Sequence, residues 1–412
     1  MDRPAGARWL AAALLAAACA PPETGPVTPD VTRPDIRIGL APAGATVTVG
    51  GAGALVVALP DGTDSRPIPA GVTATVVRAG EGLRLAIGGS GVTLGPAVTV
   101  AAADSGMPVR LNGRDYRGTL VLGTAAGGIS VVNQLPVEEY LRGVVGAEMG
   151  RRTEQDLAAL RAQAVISRTL ALKSLGRWRS RGYDLMGTVA DQAYAGVGFE
   201  GPVSDQAVRE TTGQVLVWNG GLIDVFFHST CAGRTAPGAE VFSYADRPYL
   251  RSIRDEAPDG LAWCAISPRY RWRESWSGDA LAAALRATLP TAGGRAAMAD
   301  DLHDIRIVER TGTGRVARLE IVGPGGESLS VTGPAARLLL RTSDGSSLRS
   351  ADFTLQVTRE GPRIVQLVAE GAGAGHGVGM CQWGALGRSR AGFSYQDILS
   401  AYFPGTELVR SY

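Results

Sequence analysis

No charge of one sign dominates this sequence. Its 41 lysines and arginines stand against 39 aspartates and glutamates, for a formal net charge of +2. The basic footprint of a nucleic-acid-binding protein is therefore missing, and no nucleic-acid partner is expected. Lysine is almost absent, since Lys173 is the only one, and no function is read from that bias. Histidine and cysteine are scarce, with three and four in 412 residues, so the places where they fall carry most of the information about chemistry. Long apolar runs are lacking as well: Trp9 to Leu15 is too short to span a bilayer. What the chain does have is 45% hydrophobic content, enough to bury a large core in one large domain or about two to three ordinary ones.

The first residues have the layout of an export signal, with Arg3 and Arg8 ahead of that apolar run and small residues leading to Cys19. Leu15-Ala16-Ala17-Ala18-Cys19 resembles a bacterial lipobox, in which the cysteine is lipidated and anchors the mature chain to a membrane. Ala16 stands where leucine is usual, so an ordinary signal peptide is the alternative. Residues 1–19 are read as the signal and 20–35 as a Pro-rich tether. The expected location is the cell envelope, where Cys231, Cys264 and Cys381 would meet an oxidising compartment.

From Ile36 to about residue 110 the chain is a succession of short β-type runs broken by Gly, Pro and Asp-Gly turns, with no His or Cys. Leu135-Pro136 followed by Glu138-Glu139 announces a helix, and Val137, Tyr140, Leu141, Val144 and Val145 give it one apolar stripe up to Glu148. A second helix is expected from Glu154 to Leu175. Strands at 214–218 and 222–227 flank Asn219-Gly220-Gly221, a hairpin signal. The expected fold is α+β: a β-rich module at 36–110, then a mixed helix and strand domain at 111–412 with a β-rich insertion near 279–360 and a Gly-rich cleft loop.

Three constellations carry chemistry. Glu148 ends the first apolar helix between Ala147 and Met149, where partial burial would raise its carboxyl pKa toward that of a general acid. His228, Cys231 and Cys264 offer three ligands of the kind zinc prefers, and a Cys231–Cys264 disulfide competes with that reading. Gly375-His376-Gly377-Val378-Gly379-Met380-Cys381-Gln382-Trp383-Gly384-Ala385 crowds glycines around versatile side chains, as a cleft wall does. Cys381 with His376 also admits a thiol hydrolase.

Four segments, Val137 to Met149, Leu160 to Thr169, Phe227 to Thr235 and Gly375 to Ala385, together resemble the stage II sporulation protein D family, which includes amidase enhancers. The resemblance implies a lytic transglycosylase that cuts the bond between N-acetylmuramic acid and N-acetylglucosamine in peptidoglycan and leaves 1,6-anhydro ends. It puts the catalytic acid at Glu148. It also makes Gln163, Arg168, His376 and Gln382 candidates for sugar contacts, with a structural role at a helix crossing as the alternative for Gln163 and Arg168. A zinc ion on His228, Cys231 and Cys264 is implied by the same resemblance, with the disulfide still open. A non-catalytic enhancer that binds glycan and assists a cell-wall amidase is the second function. A hydrolase would need a partner carboxylate, for which Asp156 and Asp191 are the candidates.

Overall fold

A computed structural model describes residues 33–40, 44–300 and 302–412. The expected signal, most of the tether and Cys19 lie outside the described residues. Among those described, no helix is long and apolar enough to cross a membrane.

The fold is α+β. Two antiparallel-rich sheets build the N-terminal part: a seven-stranded sheet that includes Asp35–Gly39, Leu55–Ala58, Ala97–Ala102, Thr119–Ala125 and Gly128–Pro136, and a six-stranded sheet centred on Thr46–Gly50 and Thr73–Ala79. Alternation along each strand supplies the core, as where Val47 and Val49 or Val98 and Val100 point inward. Strand Val109–Leu111 spans the boundary expected at residue 110, and the β-layer runs on to Pro136. The reason is pairing: Asp35–Gly39 bonds to Val132–Pro136, so the two ends of the β-region close into one sheet.

Pro136 is the last strand residue, and helix α1 (Val137–Met149) starts immediately after it with Glu138 and Glu139 in the first turn. The predicted stripe of Val137, Tyr140, Leu141, Val144 and Val145 is fully buried. A one-turn 3-10 helix (Glu154–Asp156) leads into α2 (Leu157–Lys173), which is covered on nearly every side by α1, the helices Pro202–Glu210, Gln382–Arg390 and Tyr395–Tyr402, and strand Gln214–Trp218. This is why α2 is rich in alanine: small side chains let many neighbours approach one axis.

The predicted hairpin is shorter than expected. Only Gly221–Leu222 pairs back on the strand Gln214–Trp218. Phe227–His228 instead forms a parallel bridge to Met380–Cys381, which carries the His-Ser-Thr-Cys segment to the Gly-rich loop. Residues 271–372 form a separate layer with its own core around Trp272, Trp276, Leu285, Leu319 and Leu367. That insertion is wider than the expected 279–360, because its stalk pairs Arg271–Ser277 with Gln366–Ala372.

Candidate active site

A cleft of about 840 Å³ is lined by Glu148 from the end of α1, Lys173 at the end of α2 with Ser174, Leu175 and Arg177 after it, Asp191, the segment Ile223 to Ser229, Phe242, Tyr244, His376 and Gln382. Four of the predicted site residues, Glu148, His228, His376 and Gln382, thus meet there although more than two hundred residues separate the first from the last two. The Glu148 carboxyl is partly buried; Oε1 accepts from the Ala193 amide at 2.7 Å and Oε2 from Gln382 Nε2 at 3.4 Å. Burial raises its pKa, and these two hydrogen bonds offset the rise only in part. With Oε1 held by a short backbone bond, Oε2 is the oxygen free to carry a proton. The other two carboxylates of the cleft are paired: Asp191 with Arg177, and Asp224 with Lys173 and Arg247. Asp191 also accepts from Trp178 and from the Met186 amide. Asp156, the other candidate partner acid, is bound to Arg390 and lies outside the cleft lining.

Two histidines line the same wall, with ring centroids 5.5 Å apart. His228 Nδ1 donates to the Val378 carbonyl at 3.0 Å, which leaves Nε2 a buried lone pair without a partner among the described residues. His376 Nδ1 accepts from the Val378 amide at 3.0 Å. Burial lowers both pKa values, that of His376 to about 4, so the pair is neutral near pH 7. The loop that delivers His376 is possible only with glycine. At Gly379 (φ 70°) a Cβ would lie 2.0 Å from the Phe226 carbonyl oxygen, and at Gly375 (φ 99°) 2.8 Å from the His228 Cβ.

Behind that wall is a buried cluster of Cys231, Cys264, Cys381 and Asp255, whose ligand atoms all lie within 4.8 Å of one another. Cys231 and Cys264 are free thiols with sulfurs 3.6 Å apart. Cys381 Sγ accepts from the Cys231 and Gly384 amides, both at 3.2 Å. Asp255 is held by Arg388 at 3.0 Å and by the Tyr402 hydroxyl at 2.7 Å. Hydrogen bonds from Cys231 and then Cys381 pull the Cys264 thiol pKa down, while burial pushes Cys381 up. Three sulfurs and one carboxylate fit a thiophilic dication, and the cluster could hold a metal.

The ligand set expected from sequence is corrected in two ways: His228 stands outside the cluster, and Cys381 with Asp255 enters it. His228 is not among the ligand atoms grouped within 4.8 Å of one another; its Nδ1 bonds the Val378 carbonyl and its ring lies beside that of His376. Cys381 is fully buried and lines no part of the cleft, so the pairing of a reactive thiol with His376 is not formed. Gln163 and Arg168 are also 0% exposed. Gln163 donates to Ser167 within α2, and Arg168 makes a bidentate ion pair with Glu138, so neither is presented to a sugar.

A sequence profile described as "Stage II sporulation protein" matches residues 125–218, the stretch that holds α1, α2 and Glu148. The chain is similar to members of the stage II sporulation protein D and amidase enhancer family. It is 27% identical to stage II sporulation protein D of Bacillus subtilis over 292 residues, covering 67% of this chain and 75% of that one. It is 28% identical over 300 residues to the amidase enhancer of the same organism, a match that spans 65% of this chain and 40% of that protein's length. An uncharacterised protein of Brachyspira hyodysenteriae is 28% identical over 300 residues, 73% of each chain. Residues 259–379 match a domain of unknown function, DUF8618, which takes in the insertion together with Cys264 and the first part of the Gly-rich loop, Gly375 to Gly379.

Arg315 was invisible to sequence reading. It reaches from the insertion to donate to the Arg234 carbonyl at 2.7 Å and the Cys231 carbonyl at 3.4 Å, and its guanidinium lies against Gly377. Burial lowers its pKa, and it has no carboxylate partner within salt-bridge distance among the described residues. Asp255 was equally unmarked: only the approach of the Cys231 turn, residue 264 and the helix Gln382–Arg390 makes it a ligand candidate.

Proposed function

We propose that the protein is an exported peptidoglycan lytic transglycosylase, with Glu148 as its catalytic acid and base. The observation that carries this reading is that Glu148 is the one unpaired carboxyl among the described residues lining the cleft. Partial burial favours its protonated form. Protonated Oε2 gives its proton to the glycosidic oxygen while the anomeric carbon develops oxocarbenium character. The C6 hydroxyl of the N-acetylmuramic acid then attacks that carbon, closes the 1,6-anhydro ring and returns a proton to Glu148. No water enters, so no second carboxylate is required. Charge balance in the cleft, where each cation is matched by an acid, suits a glycan backbone. Gln382 and His376, which line the cleft beside Glu148, would orient hydroxyl and N-acetyl groups.

Cys231, Cys264, Cys381 and Asp255 would hold Zn²⁺ as a structural ion, tying the Cys231 turn to the helix after the glycine loop. Attachment through Cys19 would keep the cleft at the envelope, where a cell-wall amidase is the proposed partner.

The test is mass analysis of purified glycan strands, with and without stem peptides, after incubation with wild type and Glu148→Gln. Anhydro-muramyl ends from wild type alone are expected. Reducing ends would mean hydrolysis, and strands left whole by wild type would move the function to glycan binding in support of an amidase.

A further inference from the structure

Ten large hydrophobic side chains are exposed among the described residues, and three of them, Leu175, Val189 and Tyr244, rim the cleft that holds Glu148. Tyr244, 68% exposed, is the outer end of a continuous series of rings. Its centroid lies 5.7 Å from Phe242 and 6.3 Å from Phe226; Phe226 and Phe242 stack at 5.0 Å and 18°; His376 meets Phe242 edge-on at 5.3 Å. Water-exposed aromatic faces beside a polar cleft are unfavourable in the free protein unless something covers them.

The mount is rigid. Phe242 donates its amide to Gly238 and accepts from Ala245, each at 2.9 Å, and Gly238 donates to Leu250 at 2.7 Å. Ala245 beneath the turn is 1% exposed, so the turn has an anchored base and an outward Tyr244. On the other side, Phe226 accepts the Met380 amide at 3.0 Å. The backbone that carries the rings is therefore set before any ligand arrives, and the ordering left to binding is chiefly that of the exposed Tyr244 side chain.

Resting on the reading of the cleft as a glycan site, we propose that Tyr244, Phe242 and Phe226 form a sugar-stacking subsite that holds a β-linked hexosamine ring of the strand next to the bond at Glu148. A pyranose chair carries its hydroxyl and N-acetyl groups around the rim and an apolar C–H surface on its face. An aromatic ring, electron-rich over its face, is the complement of that surface. The neutral lining polar groups, Gln382, His376, His228 and Ser229, suit the rim. A peptide or anionic polymer would call for an unpaired charge, and Lys173 and Arg177 are already matched by Asp224 and Asp191.

The test uses the full chain carrying Glu148→Gln, so that strands bind without being consumed, and measures affinity for purified glycan strands by calorimetry. Tyr244→Ala should weaken binding by about ten-fold, the equivalent of ~1.4 kcal/mol for one aromatic contact. Tyr244→Phe should stay within about two-fold, since stacking uses the ring face. Leu261→Ala, an exposed apolar change away from the cleft lining, should bind like the parent. Unchanged affinity in Tyr244→Ala would overturn the subsite, as would a variant that keeps strand binding and loses only its binding to a cell-wall amidase. The two proposals fail separately. Anhydro ends from wild type with Tyr244-independent affinity would remove the subsite alone; no anhydro ends with Tyr244-dependent affinity would remove the reaction alone.

Discussion

Replacing Arg168 with methionine separates a sugar contact from a buried strut. The Arg168 side chain is 0% exposed and Glu138 is 9% exposed; their ion pair is bidentate, at 2.7 and 2.8 Å. Burial pushes the Glu138 pKa up, but the guanidinium, with help from Tyr412 and Gly213, overcomes it and leaves the group lowered. Breaking a buried pair from one side typically costs about 3–5 kcal/mol, because the remaining charge is desolvated and uncompensated. Here Glu138 keeps the Tyr412 hydroxyl at 2.6 Å and the Gly213 amide at 3.2 Å, so the expected cost of Arg168→Met lies near the lower end, about 3 kcal/mol. Urea unfolding followed by circular dichroism measures it. The pH dependence has a definite sign. In wild type the lowered Glu138 pKa gives stability that is present above the ordinary carboxyl range and lost as pH falls. In the variant the unpaired, buried Glu138 is raised instead, so protonation relieves it and the gap to wild type narrows in acid. Removing both charges, in Glu138→Gln/Arg168→Met, should cost less than the two single changes added. If Arg168→Met unfolds within about 1 kcal/mol of wild type yet loses strand binding ten-fold, the buried-strut account is wrong.

Metal analysis of protein loaded with zinc should find the ion lost in Cys381→Ser and Asp255→Asn and retained in His228→Ala; the reverse pattern would restore the histidine as a ligand. Arg315→Met should free the Cys231 turn and the glycine loop, at a cost of about 1–3 kcal/mol for the abandoned carbonyls, read as faster hydrogen exchange at the Ala236 amide that now bonds Gly377. Slow exchange in that variant would show that the insertion does not brace the site. His376, lowered to about 4 by burial, binds fewer protons folded than unfolded, so stability should fall as pH drops from about 6.5 toward 4, by up to ~3 kcal/mol. His376→Gln should flatten that slope, leaving the part due to His228, and an unchanged slope would contradict the burial of the ring. Activity of wild type should decline as pH rises through the raised Glu148 pKa, the group having to be protonated to act.

Local signals were legible wherever one segment carries its own instruction. Pro136 with Glu138 and Glu139 marks the start of α1, and the 3.6-residue stripe marks its buried face. Alternating short runs mark the β-module. The segment after Leu222 departs from the expected hairpin because its apolar residues fit a hairpin equally well; what diverts it is a backbone partner far along the chain, where His228 pairs with Cys381. Arg168 looked like a binding group because an arginine inside a shared motif gives no sign of its partner. Only the meeting of α1 and α2 supplies Glu138.

The sequence by itself determined the α+β class, the glycine loop and the kinds of ligand atom present, since these depend on residue type and short spacing; Glu148 as the acid came from the family resemblance. The tertiary structure alone decided that Glu148 shares a cleft with Gln382 and His376, that Cys381 and Asp255 join Cys231 and Cys264 while His228 does not, and that Arg315 reaches under the loop. Those are matters of distance between segments that only packing brings together. Burial, which sets the proton affinity of each group, follows from that packing.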